Sequence, residues 1–181
     1  MSLTPSNMID LGSPMPEFRL PDPEGNEISS EQYGGHPLLV AFICNHCPFV
    51  QHIADSFADF ANEYIEKGMM VIAINSNDFH AQPDDSPERM RKEAIAHGYS
   101  FPYLVDESQE VARAFEAACT PDFFLFDSEH QLAYRGQFDG TRPGKGTPTG
   151  KDLRAAADAL LAGKQPDANQ KPSMGCNIKW K

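Results

Sequence analysis

The hydrophobic pattern of the chain alternates between short apolar runs and one long run with helical spacing. Residues 37–43 (PLLVAFI) and 69–75 (MMVIAIN) are continuously apolar, which indicates strands buried on both faces. Between them, apolar residues recur at spacings of three and four from Phe49 to Ile65, and Gly68 follows. We therefore predict a long amphipathic helix that ends at this glycine and joins two parallel strands.

The same alternation continues to the end of the chain and predicts an α/β fold, with a mixed central sheet and helices on both faces. Turn and capping residues set the further elements: a hairpin over 18–29, a helix over 86–98, a strand over 101–106, a helix over 108–118, a hairpin over 122–136 and a helix over 151–163. A Gly- and Pro-rich loop fills 139–150, with Arg142 as a candidate substrate contact. We expect one domain over 1–181, with 1–36 as an N-terminal hairpin extension and 164–181 as a flexible polar tail.

Charge and composition narrow the function classes. The formal net charge of −11 over 181 residues argues against a nucleic-acid partner, because phosphate binding needs clustered Lys and Arg. No apolar run is long enough to span a membrane, and the first residues lack the basic and apolar regions of a signal peptide. We expect a cytoplasmic protein with neither nucleic-acid nor membrane partners. In that reducing compartment, four cysteines indicate catalysis, redox sensing or metal binding rather than structural disulfides.

The segment FICNHCPFV (42–50) places two cysteines where a strand passes into the long helix. Pro48 suits the first helical position, which puts Cys47 at the N-cap. The free backbone N–H groups and the positive end of the helix dipole favour a thiolate there. A protonated His46 would add to this effect. The position therefore predicts a reactive Cys47, with Cys44 as its near neighbour.

Three segments carry a resemblance to a known family. They are GSPMPEFRLPDPEGNEIS (12–29), PLLVAFICNHCPFV (37–50) and TPDFFLFDSEHQLAYRGQFD (120–139). Together they resemble the thioredoxin superfamily, in particular its peroxiredoxin-like (AhpC/TSA, redoxin) branch. The resemblance implies a thioredoxin fold and a cis peptide bond between Thr120 and Pro121, whose backbone would face the cysteines and dock an extended thiol-bearing partner.

The resemblance allows two assignments of the cysteines. In one, Cys44 attacks and Cys47 resolves, as in the CxxC motif of thioredoxins. In the other, Cys47 attacks, Cys-Pro matches the peroxiredoxin active site, and Cys44 resolves the intermediate. We favour the second, because it preserves strand and turn lengths and lets Pro48 start the helix.

Departures from the family pattern bear on the activity. Ala41 stands where thioredoxins often bury an aspartate, Cys44 replaces the peroxiredoxin threonine, and Pro121 or a neighbour replaces the peroxiredoxin arginine. Without Thr and Arg, little would stabilise charge on a peroxide. We therefore expect thiol–disulfide exchange with a thiol or disulfide partner protein, and hold reduction of a hydroperoxide by Cys47 as the alternative.

The other cysteines and the histidines leave further alternatives open. Cys119, two residues before the proline, is either a third redox thiol or a buried bystander. Cys176, in the ending GCNIKWK that resembles a subgroup of thioredoxin-like proteins, is either a resolving thiol within or between subunits, or a tail residue without a role. Cys44, His46, Cys47 and His52 would be the ligands of a zinc or copper site. We expect no metal and no cofactor beyond a redox-active disulfide, and the oligomeric state stays open.

Overall fold

The computed structural model describes residues 2–181, and its elements are numbered in chain order. The strands are β1 (Leu3–Pro5), β2 (Arg19–Pro21), β3 (Glu27–Ser29), β4 (Leu38–Phe42), β5 (Met70–Asn75), β6 (Tyr103–Val105), β7 (Cys119–Thr120), β8 (Asp122–Phe126), β9 (Leu132–Gly136) and β10 (Met174–Asn177). The α-helices are α1 (Pro48–Glu66), α2 (Pro87–His97), α3 (Glu110–Phe115) and α4 (Lys151–Leu161). Short 3₁₀ helices cover Ser30–Tyr33 and Pro83–Asp85.

The central sheet has five strands in the order β6-β5-β4-β8-β9. β4, β5 and β6 run parallel, whereas β8 and β9 are antiparallel additions, as the sequence predicts. The central strand β4 is buried along its whole length because both faces of the sheet are covered. Its alternate residues Leu39 and Ala41 join a core with α1 and α4, and Leu38, Val40 and Phe42 join a second core with α3 and the β2–β3 hairpin.

Helix α1 is fixed to the sheet by aromatic packing around Phe57. Its ring centroid lies 5.2 Å from that of Phe101, 5.4 Å from that of Phe123 and 6.1 Å from that of Phe138. Burying an aromatic side chain of this size contributes about 1.5–3 kcal/mol. This packing sets the direction in which the N-terminus of α1 points, and hence the position of Cys47.

Two expectations about the chain differ from the structure. α3 spans only six residues, because Gln109 and Glu116 on either side of it adopt left-handed backbone conformations (φ 67° and 57°). The tail is ordered: β10 is the central strand of a second sheet, in the order β1-β10-β7. Its partners lie far away in sequence, so no local periodicity indicates this strand.

No helix within residues 2–181 has both the length and the hydropathy needed to cross a membrane.

Candidate active site

The turn from β4 into α1 presents Cys47 at the N-terminus of the helix. Pro48 is the first helical residue and Cys47 the N-cap, as predicted. The Cys47 carbonyl accepts hydrogen bonds from the backbone N–H groups of Val50 (3.0 Å) and Gln51 (2.9 Å). The Cys47 side chain does not cap the helix. Its sulfur therefore lies at the positive end of the helix dipole without being used as the helix cap.

The peptide bond between Thr120 and Pro121 is cis, as predicted, and it faces the cysteine turn. Cys44 Sγ lies 3.4 Å from Thr120 Oγ1, and Cys47 Sγ lies 3.4 Å from the Thr120 carbonyl oxygen. Thr120 thus contacts both cysteines through two different oxygen atoms. The junction of β7 and β8 forms the second wall of the site.

Cys176 forms the third side of the site, although it lies 129 residues from Cys47. Its Sγ is 2.6 Å from Cys47 Sγ. Strand β10 holds it there, because Cys176 lies opposite Thr120 in the antiparallel pairing of β10 with β7. Cys44, Cys47 and Cys176, which we call the three-thiol cluster, are only 3%, 1% and 3% exposed. The prediction of a flexible tail is therefore wrong, and one of its residues belongs to the site.

The three-thiol cluster contains one acidic thiol and two weakly acidic ones. Hydrogen bonding with Cys44, and next with Cys176 and Thr120, lowers the pKa of Cys47 to about 5 against the opposing effect of burial. The hydrogen bond to Cys47, and then burial, raise the pKa of Cys44 well above its ordinary value. Burial, and then the hydrogen bond to Cys47, raise the pKa of Cys176 to about 12. At neutral pH the arrangement is a Cys47 thiolate flanked by two thiol donors.

Cys119 lies on β7 but outside the three-thiol cluster. Its side chain is fully buried, and its thiol donates to the Pro121 carbonyl oxygen over 3.6 Å. Burial raises the pKa of the Cys119 thiol. No hydrogen bond within residues 2–181 joins Cys119 to the other cysteines. These contacts favour a buried bystander over a redox thiol.

His46 points towards a carboxylate rather than towards Cys47. Its Nδ1 lies 2.8 Å from Asp85 Oδ2, although not aligned for a hydrogen bond. The buried Asp85 side chain accepts hydrogen bonds from the Asn45 backbone N–H (2.7 Å) and from the side chains of Asn75 (3.2 Å) and Asn77 (3.0 Å). His46 is not among the causes that lower the pKa of Cys47. The sequence does not indicate a role for Asp85, because the Asp, Asn and Pro residues around it are typical of a solvated loop.

The four side chains considered for a metal site do not converge. Cys44, His46 and Asp85 each place one ligand atom within 4.8 Å of the other two. His52 instead pairs its Nε2 with Thr141 Oγ1 at 2.9 Å. Zinc usually takes four ligands, and the Asp85 oxygens already accept several hydrogen bonds. The donor set therefore fits a structural polar network better than a metal centre.

The loop beside the cis-proline leaves little space for a ligand. A cavity of about 20 Å³ lies next to Pro121, bordered by Phe49, Met174 and Arg142. The Arg142 guanidinium donates to Gln137 Oε1 (3.0 Å) and to backbone carbonyls within its own loop. Arg142 therefore fastens the loop, and its guanidinium is not free to be the substrate contact considered from the sequence.

Comparison with known proteins agrees with this geometry. Residues 11–135 match the profile of the AhpC/TSA family. A solved structure from Sinorhizobium meliloti 1021, described as a hypothetical protein, is 53% identical, covers 98% of each chain and superposes with a TM-score of 0.96.

Two curated relatives represent two kinds of thiol enzyme. The thiol-disulfide oxidoreductase ResA of Geobacillus kaustophilus is 24% identical over 71% of this chain and 70% of its own. Peroxiredoxin Bcp of Escherichia coli K12 is 25% identical over 74% of this chain and 83% of its own. The sheet order, the cis-proline and the cysteine at the helix N-terminus are those of a thioredoxin fold. The chain belongs to the AhpC/TSA family, the thiol-dependent redoxins of the thioredoxin superfamily.

Proposed function

We propose that the protein is a thiol–disulfide oxidoreductase with Cys47 as its nucleophile. The observation that carries this proposal is the position of Cys47 at the N-terminus of α1, beside the cis bond before Pro121 and 2.6 Å from Cys176 Sγ. The contrast in acidity supports it, because the pKa of Cys47 is lowered to about 5, while the pKa values of the other three cysteines are raised. The thiolate is the reactive form in exchange, and only Cys47 is a thiolate at neutral pH.

The reaction takes two steps. The Cys47 thiolate attacks one sulfur of a disulfide, forms a mixed disulfide and releases the other sulfur as a thiolate. A second thiol of the protein then attacks Cys47 Sγ, loses its proton to the departing thiolate and closes an intramolecular disulfide. The substrate disulfide gains two electrons and becomes two thiols, and an external dithiol returns the protein to its reduced form. Cys44, three residues from Cys47, is the second thiol predicted from the sequence.

The position of β10 restricts the substrates. An extended partner was expected to dock along the backbone at Thr120. This backbone is already paired with β10, in which Cys176 lies opposite Thr120 in antiparallel register. Cys47 is also almost fully buried. A small or flexible disulfide therefore suits this site better than an extended polypeptide strand.

Hydroperoxide reduction is the second candidate, and the burial of Cys47 favours it, because a peroxide is smaller than any disulfide. The Cys47 thiolate would take the terminal peroxide oxygen, become a sulfenic acid and release an alcohol or water. A second thiol would then displace water and form a disulfide. Against this candidate, the Arg142 guanidinium is engaged in its own loop and is not placed to stabilise the leaving oxygen.

Stopped-flow kinetics would test both candidates on the reduced protein. The oxidants are oxidised glutathione and hydrogen peroxide, and the proteins are the wild type, Cys44→Ser, Cys47→Ser and the control Cys119→Ser. We expect rapid exchange with glutathione disulfide that only Cys47→Ser loses in its first step. Peroxide consumption that is faster than exchange and lost in Cys47→Ser would establish the peroxidase instead. A first step that survives Cys47→Ser and fails in Cys44→Ser would disprove Cys47 as the nucleophile.

A further inference from the structure

Building on the proposed function, we propose that Cys176 is the thiol that closes the disulfide with Cys47, while Cys44 stays reduced beside Thr120. The sequence predicts a local Cys44–Cys47 pair. The structure supplies a second thiol from the opposite end of the chain, and the two candidates differ in how they are held.

The first argument is contact. Cys176 Sγ lies 2.6 Å from Cys47 Sγ, whereas the sulfurs of a disulfide are about 2.05 Å apart. Only a small shift is needed to form this bond. Cys44 Sγ, in contrast, has its contact with Thr120 Oγ1, at 3.4 Å.

The second argument is that β10 is built to approach Thr120 closely. Gly175 precedes Cys176, and a Cβ at this glycine would overlap the Thr120 carbonyl oxygen. Ser173 Oγ donates to the Pro121 carbonyl oxygen over 2.6 Å. These contacts hold β10 against Thr120 and Pro121. Cys176 is therefore already positioned for disulfide formation with Cys47, and no large movement of the C-terminal segment is needed.

The third argument is anchoring beyond Cys176. Ile178 is buried in the core with α3, and the Lys179 backbone N–H donates to Asn77 Oδ1 over 2.8 Å. Strand β10 thus lies along β7 as an internal partner strand, in the place where an external partner was expected. Its cysteine faces the nucleophile as the cysteine of a docked substrate would.

The resolving step is chemically balanced. Cys176 attacks Cys47 Sγ in the mixed disulfide, the bond from Cys47 to the substrate sulfur breaks, and the substrate leaves as a thiolate that takes up the Cys176 proton. Cys44 takes no part in this exchange of bonds. The Cys44 thiol stays beside Thr120 Oγ1, at a distance of 3.4 Å.

Disulfide mapping tests the pairing directly. The reduced protein is treated with one equivalent of oxidised glutathione, its free thiols are alkylated, and it is digested with trypsin without reduction. Cleavage after Lys and Arg leaves Cys44 and Cys47 together in the peptide 20–67, and Cys176 in the peptide 165–179. We expect these two peptides to be joined in the wild type and in Cys44→Ser. Since Cys44→Ser removes the competing sulfur of the first peptide, its cross-link assigns the bond to Cys47.

Kinetics test the order of events. In Cys176→Ser we expect glutathione to remain on Cys47 and release of the second glutathione to slow by at least about 100-fold, because an intramolecular attack is lost. Cys44→Ser should keep rapid release, and the matched control Cys119→Ser should behave as the wild type. Gly175→Ala keeps all four cysteines but pushes β10 from Thr120, so it should also slow release. Circular dichroism would confirm that each variant is folded.

The outcomes separate this inference from the proposed function. A looped peptide 20–67 with a Cys44–Cys47 disulfide, together with unchanged release in Cys176→Ser or Gly175→Ala, would overturn the role of Cys176 and leave the nucleophile in place. Glutathionylation that persists in Cys47→Ser would overturn the proposed function itself.

Discussion

The two thiols that flank Cys47, those of Cys44 and Cys176, are positioned by different parts of the chain. Cys44 lies two residues after the end of β4, in the turn that leads into α1, and Cys176 reaches the site through the pairing of β10 with β7 at the other end of the sequence. Both are buried, and both have raised pKa values. Cys44 has the largest effect in lowering the pKa of Cys47, whereas Cys176 makes the shortest sulfur contact. One neighbour thus sets the acidity of the nucleophile, and the other is placed to bond with it.

The largest effect on thiol reactivity should come from substitution of Cys47, which Cys44 and Cys176 flank. Cys47→Ser leaves only thiols with raised pKa values, so alkylation of the native protein by iodoacetamide at pH 7 should slow by at least about 1,000-fold. Quantification of the alkylated peptides would measure this. A loss of less than tenfold would show that another cysteine carries the thiolate.

The pH dependence of the same alkylation follows from the sign of the shift. Because the pKa of Cys47 is lowered to about 5, its rate should be constant from about pH 6 to 8 and fall as the pH drops through about 5, where the thiolate gains a proton. A midpoint near the ordinary cysteine value of about 8.5 would contradict the lowered pKa.

Removal of each neighbour should separate their effects on acidity. Cys44→Ala removes the main hydrogen-bond donor and should raise the pKa of Cys47 towards about 8.5 by more than Cys176→Ala does. Cys44→Ser retains a donor and should shift the midpoint less than Cys44→Ala. The alkylation profile serves again as the measurement. A larger shift in Cys176→Ala would reverse the division of roles between the two thiols.

Blocking the close approach of β10 to Thr120 should lower the stability of the protein. Gly175→Ala forces a Cβ against the Thr120 carbonyl oxygen and should lower the free energy of unfolding by about 1–3 kcal/mol. Gly34→Ala is a matched control, since its added Cβ would meet only ordinary contact at 3.6 Å from the Glu31 carbonyl oxygen. Urea unfolding would measure both variants. Equal stabilities would show that β10 is not held tightly against β7.

The same contrast explains what could be predicted from the sequence. The apolar run of β4, the Pro48 helix start and the Gly68 stop are local signals, and each is confirmed. The cis bond before Pro121 is confirmed too, but the family resemblance supplied it, because an X–Pro bond is cis in only about 5–6% of cases.

The parts that local signals missed are set by contacts between distant segments. β10 is four residues long, includes a glycine and gains its order from β1 and β7. Asp85 likewise joins the site because its 3₁₀ helix folds back on the cysteine turn, where the Asn45 N–H meets its carboxylate. Spacing along the chain reveals neither, since both depend on which segments meet in space.

The smallest effect on stability should come from removing the contact of Trp180 near the end of the tail. The Arg113 guanidinium lies 4.3 Å from the ring centroid of Trp180, the single tryptophan of the chain. Arg113→Ala removes this cation–π contact and should lower the free energy of unfolding by about 0.5–1 kcal/mol, while acrylamide quenches Trp180 fluorescence more readily. Arg113→Lys keeps the charge and should lie between alanine and the wild type. Since Ile178 and Lys179 anchor β10 independently of Trp180, the Cys47–Cys176 disulfide should still form in Arg113→Ala. Failure to form it would show that Trp180 holds the whole strand, and that the position of Cys176 depends on the last residues of the chain.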